Sequence, residues 1–156
     1  MQIARTLLDE LIAHAREEAP NECCGLVAVD LDTPGGPGGP GGVISPPGGA
    51  SGTMVTRAAR VHRAVNMAAS PLKFEVDGKE LLGLIEAIEQ DGSELGAIYH
   101  SHTRTPPLPS QTDINFAAGW PGVEWIIVGL VDSDAPEVRS YLIEDGRVRE
   151  VGLEVG

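Results

Sequence analysis

Apolar positions near the N-terminus repeat at helical spacing. Leu7, Leu8, Leu11, Ile12 and Ala15 share one face of residues 4–18, with charged side chains on the other. This pattern predicts an amphipathic helix, which Pro20 stops. From Cys24 to Val29 the pattern becomes a short unbroken apolar run, the signature of a buried strand. A second strand is expected within Thr53–Ala64. Helical periodicity returns after Asp77, with Leu81, Leu82, Leu84, Ile85 and Ile88 as the apolar face. Asp77 and Glu80 have capping-box spacing, and Gly92 suits the C-terminal end. Leu95–His100 and Val123–Val131 are further apolar strands. Between them lie a Pro-rich loop, 103–109, and a short helix opened by Ser110 and running to about Ala118. Val138–Ile143 and Arg147–Glu154 form a hairpin across Asp145-Gly146. Strands mixed with two or three helices predict an α+β, or mixed α/β, fold.

Composition changes this picture at one place. Glycine and proline number 32 of 156 residues, well above the usual share. Residues 34–49 hold 13 of them, so the remainder of the chain is ordinary. With 42% hydrophobic residues, residues 1–156 read as a single domain carrying one Gly/Pro-rich insertion loop at 34–49. Three Pro-Gly-Gly triplets there are too few for a collagen-like helix.

Charge excludes whole classes of partner. The net charge is −12, no basic stripe is visible and there are only six aromatics, which argues against nucleic acid and against an anionic membrane surface. Asp9 and Glu10 interrupt the first apolar stretch, so it is no signal peptide, and no apolar run reaches the length of a membrane span. A cytoplasmic protein is expected. Cys23 and Cys24 are adjacent and are expected to be reduced and buried.

The candidate chemistry lies at His100 and His102. In a strand, residues i and i+2 share a face, so both imidazoles project together. Asp113 lies eleven residues further on, three residues into the helix opened by Ser110, and the Pro-rich loop can fold it back. Two histidines and one carboxylate leave a fourth position open, the pattern of a catalytic rather than a structural zinc site. Hydrolysis there also needs a proton acceptor. Glu22 is a candidate, but spacing alone does not select it from the other acids. His14 and His62 match no motif and are expected at the surface. Trp120 and Trp125 are expected in the core or at its rim.

His100-Ser101-His102, a seven-residue spacer, and Ser110-Gln111-Thr112-Asp113, with Glu22 ahead of Cys24-Gly25, resemble the JAMM (MPN+) zinc metallopeptidases. The resemblance runs from about residue 5 to 150, interrupted by the insertion. It implies a JAMM/MPN-like (cytidine-deaminase-like) curved mixed sheet flanked by helices. It also implies one Zn²⁺ per chain on His100, His102 and Asp113, with Glu22 as proton acceptor and donor and Ser110 as oxyanion donor. Ser101 points to the other strand face and should take no direct part. Many family members have proline after the second histidine, where this chain has Thr103. That departure, with Ile98–Thr103, Pro109–Asp113, Arg139-Ser140-Tyr141 and the Asn66 region, is similar to a bacterial Mec-like branch. Those hydrolases release cysteine from the C-terminus of a ubiquitin-like sulfur-carrier protein (CysO-type), whose tail ends in Gly-Gly. The alternatives are an isopeptidase that frees lysine side chains from a ubiquitin-like protein, and a non-catalytic MPN scaffold. Such scaffolds lack motif residues that this chain keeps.

Overall fold

The computed structural model describes residues 1–32 and 55–156. The Gly/Pro-rich segment 34–49 lies outside the described residues. The elements in chain order are β1 (Gln2–Ile3), α1 (Arg5–Glu18), β2 (Cys24–Asp32), β3 (Val55–Ala64), α2 (Gly78–Gln90), β4 (Glu94–His102), α3 (Gln111–Ala117), β5 (Glu124–Gly129), β6 (Glu137–Glu144), β7 (Arg147–Val151) and β8 (Glu154–Val155). The strands form one mixed sheet in the order β7-β6-β5-β4-β2-β3-β1-β8. Most neighbours are antiparallel. The β4–β5 pair is parallel, so the chain must cross over between them, and α3 sits in that crossover.

Each face of the sheet has its own apolar cluster. On one face, Leu8, Leu11 and Ala15 of α1 pack with Val27, Val61, Ala97, Tyr99, Ile126 and Val128. On the other, Ile88 of α2 and Ala117 of α3 pack with Leu26, Ile98, Trp125, Ile127 and Tyr141. Alternation along β4 therefore sends Tyr99 to the α1 face and Ile98 to the α2/α3 face. Leu11 is fully buried, so Leu11→Ala would cost about 2–5 kcal/mol.

At Gly25 the sheet leaves no room for a side chain. A Cβ there would stand 2.4 Å from the Tyr99 ring and 2.4 Å from the His62 carbonyl oxygen. The Tyr99 ring lies across the glycine, and its hydroxyl meets His14 Nδ1 at 2.7 Å. His14 is thus buried, at 4% exposure, against the sequence expectation of a surface residue. The reason is a partner 85 residues away that satisfies its polar ring. His62 is half-buried rather than exposed.

Other expectations hold with shifted boundaries. Asp145 and Gly146 both take positive φ, 52° and 73°, as a two-residue hairpin turn requires. Trp125 is fully buried and Trp120 partly so. Both cysteines are free and buried, which raises the Cys23 thiol to about 11 and that of Cys24 to about 12. Leu82, expected on the α2 face, is 63% exposed. At about 100° per residue it falls well outside the arc shared by Leu81, Leu84, Ile85 and Ile88. Asp77 caps α2 by accepting the Lys79 and Glu80 N–H groups. The Glu80 carboxylate accepts the Val65 N–H instead of completing a capping box.

Candidate metal centre

His100 and His102 occupy the end of β4 and project from the α2/α3 face, opposite to Tyr99 and Ser101. The β2–β4 register sets Cys24 directly across from His100. Extended by two residues it brings Glu22 across from His102. Asp113 arrives from α3, whose N-terminus is built by a reciprocal capping box. The Ser110 Oγ accepts the Asp113 N–H at 3.2 Å, and the Ser110 N–H donates to Asp113 Oδ2 at 2.8 Å. The structure thus gathers four of the five expected residues, His100, His102, Ser110 and Asp113, by direct contacts. Glu22 lies near enough for His102 and Asp113 to act on its charge.

The donor atoms have metal-site spacing. His100 Nε2 lies 3.1 Å from His102 Nε2 and 3.2 Å from Asp113 Oδ2, and His102 Nε2 lies 3.5 Å from that oxygen. Ligands at about 2.0–2.1 Å from one ion, placed tetrahedrally, stand roughly 3.3–3.4 Å apart. The three donors therefore fit a single small cation, with a face left open. All three residues are buried.

The two histidines differ in their electrostatics. Burial lowers the His100 pKa, and the neighbouring Asp113 only partly opposes it, so the neutral ring is favoured. Burial also disfavours charge on His102, but Asp113, the Pro106 carbonyl and Glu22 outweigh it and raise its pKa. For Asp113, burial alone would raise the pKa. The two imidazoles and the Ser110 N–H override it and hold the carboxyl far below the usual range. Burial pushes Glu22 up to about 7, with His102 opposing and Asp113 adding to the shift. A carboxylate poised near neutrality suits proton transfer.

Several contacts that position these groups are invisible in the motif. His102 Nδ1 meets the Pro106 carbonyl at 3.0 Å, which fixes the ring's orientation. His100 Nδ1 is buried with no hydrogen-bond partner among the described residues. Its ring is instead stacked on Phe74, with centroids 4.7 Å apart. Glu22 is held through its backbone. Its N–H donates to the Ser70 carbonyl at 2.8 Å, and its carbonyl accepts from Asn66 Nδ2 at 2.9 Å. Ser101 does face away from the cluster, yet its Oγ accepts the Cys23 N–H at 2.8 Å, next door to Glu22. The Asn66 region was marked only by resemblance, without a role, and Phe74 carried only the signal of an aromatic before α2.

A curled mixed sheet with a buried His-His-Asp cluster at one strand end, faced by a carboxylate of raised pKa, defines a metal-hydrolase type of domain. The family described as prokaryotic homologues of the JAB domain matches residues 4–144, and the chain belongs to it. Over 153 residues it is 32% identical to the CysO-cysteine peptidase of Mycobacterium tuberculosis, covering 98% of this chain and 89% of that protein. It is 33% identical to a probable TtuB-protein conjugate cleaving protease of Thermus thermophilus, covering 99% of this chain and 82% of that one. Among solved structures, a Desulfitobacterium hafniense protein superposes with a TM-score of 0.76 at 27% identity, covering 100% of this chain and 93% of that one. A JAB1/MPN domain protein of Archaeoglobus fulgidus shares the fold, with a TM-score of 0.54 at 18% identity over 100% of this chain and 96% of that one. The chain is an enzyme of the peptidase class with a JAMM fold.

Proposed function

We propose that this chain is a zinc hydrolase that cuts the amide bond after the C-terminal glycine of a ubiquitin-like sulfur-carrier protein and releases cysteine. The observation that carries the reading is the spacing of three buried donors with a carboxylate of pKa about 7 beside them. Similarity to the CysO-cysteine peptidase, 89% of which this chain covers, supports the substrate class. A net charge of −12 favours a protein substrate over nucleic acid. Two reduced, buried cysteines suit the cytoplasm. Residues 1–156 are read as one catalytic domain.

His100, His102 and Asp113 would hold a Zn²⁺ ion, which when bound would supply an activated water and polarise the scissile carbonyl. Glu22 accepts a proton from the attacking water and passes it to the leaving amine. The Ser110 Oγ uses a lone pair to accept the Asp113 N–H, so its own O–H is available to the carbonyl oxygen as negative charge builds there. Phe74 and the Pro106 carbonyl keep the two imidazoles in place.

The test is a ubiquitin-fold carrier ending in Gly-Gly-Cys, with free cysteine followed by mass spectrometry. Wild type should release one cysteine per carrier, while Glu22→Gln and chelated enzyme should release almost none. Cleavage that persists in either would overturn the mechanism. The Thermus relative, a probable TtuB-protein conjugate cleaving protease, favours a second reading as an isopeptidase. Cleavage of a lysine-linked carrier with none of the cysteine conjugate would establish that reading instead.

A further inference from the structure

The aim of the His102 ring depends on one backbone carbonyl. His102 Nδ1 meets the Pro106 carbonyl at 3.0 Å. A carbonyl only accepts, so the contact puts the proton on Nδ1 and leaves the Nε2 lone pair for an ion. That carbonyl belongs to the Pro-rich segment between β4 and α3, which has no strand or helix of its own. A group on a loop can position a ligand only if the loop is itself held.

It is held from several sides. The Leu108 N–H also donates to the Pro106 carbonyl, at 2.8 Å, and closes a tight turn centred on Pro107. The Pro107 carbonyl, in the same peptide group as that N–H, accepts the Tyr141 hydroxyl at 2.5 Å. The Pro107 ring seats on Gly129, where an added Cβ would stand 2.8 Å from Pro107 Cδ. The Pro107–Leu108 peptide group is thus pinned at both ends. Its N–H lies on the carbonyl that orients His102, and its C=O lies on Tyr141.

Tyr141 comes from β6, two strands away from β4 in the sheet. It pairs with Trp125, which pairs with Ile98, so it shares the α2/α3 face with His100 and His102. The residue is buried in the apolar cluster of that face. Phenylalanine would serve the packing equally well. The hydroxyl adds something different, a donor that reaches the loop.

We propose that Tyr141 is a positioning residue of the metal centre. Through the Pro107–Leu108 peptide group it keeps the Pro106 carbonyl on His102 Nδ1, so that His102 Nε2 faces the ion. The inference rests on the metal-hydrolase reading above and deepens it by naming what aims one of the ligands.

The test compares wild type with Tyr141→Phe, which keeps the ring and removes the donor. Zinc affinity is read by competition with a chromophoric chelator, and the imidazoles of the zinc-loaded protein by proton–nitrogen NMR. Losing a direct outer partner of a metal-bound histidine costs about 10–100-fold in affinity, and Tyr141 acts one link further out, so a loss near tenfold is expected. The His102 Nδ1–H signal should shift and exchange faster with water, while the His100 ring signals stay in place. Gly129→Ala, which displaces Pro107 from the sheet side, should give the same signature. Combined with Tyr141→Phe it should weaken zinc binding by less than the product of the two single effects. A residue that only packs the core would lower the Tm and move neither reading. Wild-type zinc affinity with an unmoved His102 signal in Tyr141→Phe would therefore overturn the proposal. So would His100 and His102 signals displaced alike, or a His102 signal unmoved in Gly129→Ala. A wild-type chain that binds no zinc would overturn the metal-hydrolase reading itself.

Discussion

Asn66→Ala tests how the candidate base is held. The Asn66 side chain makes four hydrogen bonds, all to backbone. Its Nδ2 donates to the Glu22 carbonyl at 2.9 Å and the Lys73 carbonyl at 3.0 Å, and its Oδ1 accepts the Ala68 and Glu75 N–H groups at 3.0 Å each. One amide thus ties the Glu22 backbone to the loop that carries Phe74 against His100. A hydrogen bond contributes about 0.5–1.5 kcal/mol net. Asn66 is half-buried, so water replaces part of what is lost, and a total near 2 kcal/mol is expected. For a chain of this size that corresponds to a fall in Tm of about 4–8 °C. The activity should fall further than stability implies. Glu22 keeps its bond to the Ser70 carbonyl but loses its second backbone anchor, and a displacement near 1 Å costs up to about a hundredfold in rate. Asn66→Asp separates the two effects. It keeps both acceptor bonds within the loop but turns an acceptor toward the Glu22 and Lys73 carbonyls, so it should retain more of the Tm than Asn66→Ala while losing a similar part of kcat. Thermal unfolding and steady-state cleavage of the cysteine conjugate read both quantities. A wild-type Tm and kcat for Asn66→Ala would refute the reasoning.

Tyr99→Phe removes the only described partner of the His14 Nδ1 in a buried site. It should cost about 1–3 kcal/mol of stability by urea unfolding, with no change in metal content. His14 also sets a pH dependence. Burial lowers its pKa below the ordinary 6.5, with Arg63 adding and Glu17 and Glu18 opposing. The unfolded chain therefore binds the proton more readily, and stability should fall as pH drops below about 6.5. His14→Asn should flatten that part of the profile, and identical profiles for variant and wild type would contradict it. His102→Ala and Asp113→Asn should each reduce bound metal, measured by elemental analysis, to well below one ion per chain. Replacing residues 34–49 with a short Gly/Ser connector should leave metal content unchanged. β2 and β3 already pair along their length, from Cys24↔Ala64 to Asp32↔Val55. Loss of metal on that replacement would show that the segment supports the site.

What could be read in the sequence depended on range. The α1 and α2 stripes, the Asp145-Gly146 hairpin and the Ser110 cap are local patterns, and each appears where its spacing puts it, with Leu82 of the α2 stripe as the exception. His100, His102 and Asp113 were legible because a strand period and a capping position fix where their side chains point. The two-residue strands β1 and β8 have too few residues for any period, and they exist because the chain ends lie side by side in parallel. His14 was misread because nothing within α1 reveals that Tyr99 crosses Gly25 to meet it. Glu80 was misread because the Val65 N–H, fifteen residues away, competes for its carboxylate. The Asn66 region was marked by resemblance, but its role was not legible for the same reason: its meaning lies in a carbonyl 44 residues distant. Glu22 itself was marked only by resemblance, since the register that brings it across from His102 is a property of the sheet.

The most direct test of the account is a zinc titration of chelated enzyme with the Gly-Gly-Cys carrier as substrate. Cysteine release should return in proportion to added Zn²⁺ and level off at one ion per chain, with no return in Asp113→Asn. Full activity before zinc is added, or a chain that takes up no zinc and yet cleaves, would contradict it.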